Sequence, residues 1–88
     1  MFNLGQVVAT PGALAMLAGN GQTPSEFISR HHNREQGELG NEDHQANDES
    51  VKSKGQILSV FKAKDESKVW VITDPGHEVT TVLLPSEY

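Results

Sequence analysis

The sequence predicts an α+β domain. A helical hairpin and a surface helix pack on a C-terminal three-stranded antiparallel meander, and residues 4–9 can add a short N-terminal strand. Three observations predict it. Two Thr-Pro pairs, Thr10-Pro11 and Thr23-Pro24, open helix-forming runs within the first 32 residues. Three runs of β-branched and aromatic residues follow Gly55, joined by short polar links. Between these halves, residues 30–50 hold only Leu39 and Ala46 as apolar side chains and carry −4 of the net charge of −5.

Each element follows from local chemistry. Leu4-Gly5-Gln6-Val7-Val8-Ala9 is β-branched at its centre, and Gly5 weakens it as a strand. Thr10 is a good N-cap, and Pro11 belongs at the first helical position, where its missing N–H would be unpaired anyway. Ala13 to Ala18 are strong helix formers, and Gly19-Asn20-Gly21 stops them. Thr23-Pro24 repeats the device, with Glu26 three residues after Thr23 as a capping box. Phe27, Ile28 and His31 then share one side of this second helix. Asn41 can cap a third helix, with Glu42 and Asp43 in the first turn where the helix dipole favours anions. Lys52, Lys54 and Gly55 are its stop signals. Its apolar stripe is thin, Ala46 and Val51, so it belongs on the surface. The linker 33–40, with Leu39 its one large apolar residue and glycines at 37 and 40, is expected to exchange its amides fast.

Gln56–Lys62, Lys68–Thr73 and Glu78–Leu84 form the meander. Lys64-Asp65-Glu66-Ser67 is a polar hairpin loop, and Asp74-Pro75-Gly76-His77 fits a type II turn. Strand alternation sets Val69 and Val71 against Trp70 and Ile72, and Val79 and Leu83 against Val82 and Leu84. Val69, Val71, Val79 and Leu83 are grouped on one face, with Trp70, Ile72, Val82 and Leu84 on the other. Both faces are apolar and the helical hairpin can cover only one. The chain is therefore expected to associate, with itself or with a protein partner. Val69, Trp70, Val71, Ile72, Val79 and Val82 are the candidate interaction surface.

Composition bounds the function. The 88 residues make a single domain, 1–88, in which Leu, Ile, Val and Phe account for 21 residues, enough for a modest core. An acidic chain (Lys+Arg 7, Asp+Glu 12) without a basic cluster is a poor binder of nucleic-acid phosphates. The absence of cysteine excludes a disulfide scaffold and thiolate zinc. The longest N-terminal apolar stretch is six residues, and no Lys or Arg precedes Arg30, so neither a spanning helix nor a basic signal region is expected. The expected compartment is the cytoplasm.

Chemistry-bearing constellations are sparse. His31 and His32 are adjacent and so diverge by about 100° on a helix, with His44 and His77 elsewhere. No two histidines have the i, i+4 spacing of a helical zinc site, and neither metal nor cofactor is expected. Glu42-Asp43 and Asp48-Glu49 lack the apolar pocket that tunes a catalytic carboxyl. Nucleophile and Walker motifs are absent. One grouping is less ordinary: with the second helix across the sheet, His31, Arg30 and the hydroxyls of Thr73, Thr80 and Thr81 converge. That supplies a general acid/base and a phosphate-binding cation, Arg30, the minimum for metal-independent phosphodiester cleavage.

Leu4 to Leu14, Arg30-His31, Gly37-Glu38-Leu39, Glu42-Asp43, Ala46-Asn47, Ile57-Leu58-Ser59, Val69 to Thr73 and Thr80 to Tyr88 together resemble a family of small bacterial proteins. These occur on plasmids and integrative elements and are usually called plasmid-related proteins. The likeness spans nearly the whole chain. It departs at Gln36, where the family carries a Trp, although Glu35 keeps the acid before it. The family has no established activity, so the resemblance implies a mobile-element accessory protein, and the residues above favour a non-enzymatic protein-binding module. One alternative is a ribonuclease with the layout of barnase- and RelE-type domains, using His31 with Thr80 or Thr81. A second is an acidic antirestriction protein that mimics nucleic acid.

Overall fold

The computed structural model of the chain describes residues 2–33, 35 and 41–88, without the side chains of 41–44 and 46. The order is β1 (Gln6–Ala9), α1 (Pro11–Gly19), α2 (Pro24–His32), α3 (Asn41–Ser53), β2 (Ile57–Lys62), β3 (Lys68–Thr73) and β4 (Val79–Leu83), closed by a 3₁₀ turn, Pro85–Glu87. The expected α+β architecture is present. The meander β2-β3-β4 is antiparallel, and the N-terminal segment adds a fourth strand parallel to β4, giving the order β1-β4-β3-β2. No helix among the described residues is long and apolar enough to cross a membrane. Most of the 33–40 linker and the side chains of Asn41, Glu42, Asp43, His44 and Ala46 lie outside the described residues.

Caps explain where the helices start and stop. The Thr10 hydroxyl accepts the Ala13 N–H (3.1 Å), as an N-cap should. Thr23 does not act this way, so the expected capping box is absent. Its hydroxyl instead meets Ser25 Oγ (3.1 Å), and the Glu26 carboxylate is taken by the Gln22 amide (2.8 Å). Asn20 ends α1 by donating to Met16 O (2.8 Å) and ties the helical hairpin to the β2–β3 loop by accepting the Asp65 N–H (2.8 Å). Helix α3 stops at the expected signals, and Lys54 takes the left-handed position there (φ 60°). Gly55 sits close to α3: a Cβ there would lie 2.8 Å from Ser50 Oγ, so the serine hydroxyl would have to turn away. The turn at 74–77 has the predicted geometry, with Gly76 at φ 91°.

Parallel pairing of β1 depends on Gly5. Its φ is 66°, and a Cβ would fall 2.1 Å from the Glu78 carbonyl oxygen, which accepts the Gln6 N–H (2.8 Å) and so opens the β1–β4 ladder.

The register settles which residues share a face. Trp70 pairs with Leu83, and Val71 with Val82. Val69, Val71 and Val82 therefore lie together on the inner face, whereas Trp70, Ile72, Val79 and Leu83 lie on the outer one. This corrects the expected grouping, which had exchanged Val82 and Leu84 with Val79 and Leu83; Leu84 packs against the inner core. The inner face is covered: Phe61, Val69, Val71 and Val82 pack with Ala13 and Leu17 of α1 and Phe27 of α2 into one core. Arg30 closes this core at the side, its guanidinium 4.5 Å from the centre of the Phe61 ring and 3.3 Å from the Glu35 carboxylate.

The two ends of the chain are stapled together. Glu87 accepts the Thr10 hydroxyl (2.5 Å) and the Leu84 N–H (2.9 Å), so the C-terminal turn sits on the N-terminus of α1. These bonds, with a further one from the Gly12 N–H, hold the exposed Glu87 carboxyl below its ordinary range, the Thr10 hydroxyl contributing most. A Cβ at Gly12 would lie 2.5 Å from that carboxylate and would push it off its partners.

Candidate functional site

The inner face is apolar at one end and polar at the other. Opposite Phe27, Phe61 and Leu17 it is aliphatic. Beneath His31 it presents Ser59, Thr73 and Thr80, all fully buried. His31 lies one turn after Phe27 on the apolar side of α2, and this spacing delivers its ring to the polar row. His31 Nδ1 is 2.6 Å from Ser59 Oγ, and Nε2 is 2.9 Å from Thr73 Oγ1. Thr73 Oγ1 is 2.8 Å from Thr80 Oγ1, which donates to the Leu4 carbonyl at 2.7 Å.

That last bond sets the direction of the whole chain. A carbonyl oxygen can only accept, so the single proton of Thr80 is used on Leu4. Thr80 must then accept from Thr73, and Thr73 from His31 Nε2–H. Neutral His31 has one ring proton, so Nδ1 accepts from Ser59. The sequence Ser59→His31→Thr73→Thr80→Leu4 is fully satisfied and runs one way. Burial, helped by the adjacent His32, lowers the His31 pKa from 6.5 to about 4, which keeps the ring neutral.

The convergence expected of His31, Thr73 and Thr80 is thus real, but it occurs inside the core. His31 is inaccessible, and both its nitrogens are engaged. Thr81 points to the outer face, away from this group. Arg30, the candidate phosphate ligand, is held by Glu35 and Phe61 at the rim of the core. Ser59 was not marked by the sequence reading. Its signal is the alternation Ile57, Ser59, Phe61, in which a serine occupies an inward position between two core residues.

Phe2 roofs the polar end. Its ring meets His31, His32 and His77 edge-on at centroid distances of 5.4, 5.5 and 5.6 Å. His32 Nε2 donates to the Phe2 carbonyl (3.0 Å), and His77 Nε2 to the Gly55 carbonyl (2.9 Å). An open cleft of about 690 Å³ runs beside them, lined by Phe2, Leu4, Gly5, His32, His77 and Glu78. No group of three metal-ligating side chains occurs among the described residues.

The outer face is different in kind. Of the sequence-predicted surface, Val69, Val71 and Val82 are buried in the core, and Ile72 is nearly so, at 5% exposure. Trp70 and Val79 are half-buried, together with Leu58 and Val60 on β2. Tyr88, 75% exposed, reaches over from the C-terminal turn and meets the Trp70 ring edge-on at 5.5 Å. Beside this pair lies a groove of about 390 Å³, walled by Ile72, Thr81, Leu83 and Tyr88.

The far edge of β2 is capped at Leu58 by one side chain. Asn47 of α3, 4% exposed, donates to the Leu58 carbonyl (2.6 Å) and accepts the Leu58 N–H (3.0 Å). It thereby occupies the place of a neighbouring strand. No protein-family model matches the chain, and no curated protein and no solved structure is significantly similar to it.

Proposed function

We propose that the chain is a non-enzymatic protein-binding module, an accessory of a mobile genetic element, that docks a protein partner on the outer face of its sheet. The observation that carries this reading is the half-buried strip of Trp70, Val60, Leu58 and Val79, with the exposed Tyr88 beside it, on a sheet whose inner face is covered by helices over β2, β3 and β4. Tryptophan and tyrosine are the side chains most often found at the energetic centres of protein interfaces. The one constellation with the elements of catalysis, around His31, is sealed inside the core and its groups are spent on each other. The resemblance to plasmid-related proteins supports the biological setting.

A photo-crosslinking amino acid at Trp70, compared with one at the exposed Glu66 in the β2–β3 loop, tests this in extract of cells that carry the gene. A discrete adduct is expected from position 70 and not from 66, lost when Val60→Asp places a charge in the strip. Equal labelling from both positions, or none, would count against the reading. Purified protein incubated with total RNA and a chelator is expected to leave the RNA intact.

A further inference from the structure

The two edges of the sheet are treated differently. On β2, Asn47 satisfies the outward N–H and C=O of Leu58, and α3 packs alongside. Among the described residues, the β1 edge has no such cover. Val7 is 43% exposed and Val8 38%, and Leu14, 46% exposed, follows one helical turn after Thr10 at the end of the strand. These are three of the four large exposed hydrophobic residues among the described residues. Edge strands are normally protected by charge, proline, a bulge or a covering element. Here no charged side chain occurs before Glu26, and α3 packs at the opposite edge.

The backbone pattern identifies what fits this edge. Gln6 and Thr10 donate inward to Glu78 O (2.8 Å) and Val82 O (2.9 Å). In a parallel ladder alternate residues bond the same neighbour, so Val8 also faces β4, while Val7 and Ala9 present N–H and C=O outward. A second antiparallel β1 can meet these groups around a two-fold axis at Val8. Val7 of each copy then exchanges both bonds with Ala9 of the other, and the two Val8 residues face each other as a non-hydrogen-bonded pair. This register uses only residues of the strand. It also keeps each residue on its own face, as continuity of the sheet requires. Residues 6–9 carry no charge in a chain of net charge −5, so no like charges of the strand meet across the axis.

We propose that two copies of this chain pair through β1 in this register, making one eight-stranded sheet with both outer faces on the same side. The proposal stands independently of the docking function assigned to the outer face, and the two fail in different experiments.

The chain contains no cysteine, so a single introduced thiol reads the register directly. A non-hydrogen-bonded antiparallel pair sets its Cα atoms ~4.5 Å apart, within disulfide range. Val8→Cys is therefore expected to form a covalent dimer under mild oxidation, several-fold faster than Val7→Cys or Glu66→Cys. Light scattering at ~100 μM should show wild type at twice the chain mass. Val8→Lys should be a monomer with unchanged far-ultraviolet circular dichroism, because like charges would face each other across the axis. Monomeric wild type, a dimer unaffected by Val8→Lys, or equal cross-linking at positions 7, 8 and 66 would each overturn the proposal.

Discussion

Replacing His31 by alanine is expected to destabilise the domain by about 4 kcal/mol. The substitution removes a fully buried ring and orphans both hydroxyls it joins, Ser59 and Thr73. Each unsatisfied buried group costs about 1–3 kcal/mol, and a cavity is left in addition. The total stability of a domain of this length is roughly 4–13 kcal/mol. His31→Gln, whose amide can both donate and accept, should be milder. Urea titration followed by the fluorescence of Trp70, the only tryptophan, measures both variants.

The same residue makes stability depend on pH, and the sign follows from its lowered pKa. The unfolded chain takes up a proton near pH 6.5, the folded chain only near 4. Between these values the unfolded state binds more protons, so stability falls as the solution is acidified. The contribution is fully present above pH 6.5 and is lost progressively as pH falls to about 4, roughly 3 kcal/mol in all. From pH 7.5 to 5.5, above the range in which carboxylates titrate, wild type should lose about 1 kcal/mol more than His31→Gln. Parallel slopes for the two proteins would show that His31 is not held neutral.

Asn47→Ala should have the next largest effect, about 2–4 kcal/mol, because two backbone groups of Leu58 lose their partners at once. Asn47→Asp separates the two bonds. Its carboxylate can still accept the Leu58 N–H but confronts the Leu58 carbonyl with a second acceptor. It should therefore destabilise at neutral pH and recover in part when protonated. Denaturant midpoints across pH test this, and a neutral effect of Asn47→Ala would show that α3 docks by other contacts. An uncovered β2 edge should also increase aggregation of both variants.

Much of the fold could be read from short-range chemistry, because short-range chemistry decides it. Thr10-Pro11 and Thr23-Pro24 placed the starts of α1 and α2, and the Pro75-Gly76 pair placed its turn. What escaped was chemistry between distant residues. The facing of Val82 depends on the register across the 74–78 connection, which alternation within a single strand cannot supply. Ser59, Thr73 and Thr80 look like wet-face residues until a histidine 28 residues or more away is found to complete them. Asn47 sits in a polar helix with no apolar rhythm, and its partner is a backbone that has no side-chain signature. The staple between Thr10 and Glu87 joins residues 77 positions apart.

The role of His31 as a neutral structural link can be measured on its imidazole nitrogens by ¹⁵N nuclear magnetic resonance. With Thr80 committed to the Leu4 carbonyl, the ring should be protonated at Nε2 and bare at Nδ1, and should not titrate between pH 8 and 5. A ring protonated at Nδ1, or one that gains its second proton near pH 6.5 as an accessible catalytic histidine would, would contradict the hydrogen-bond chain and reopen the ribonuclease reading.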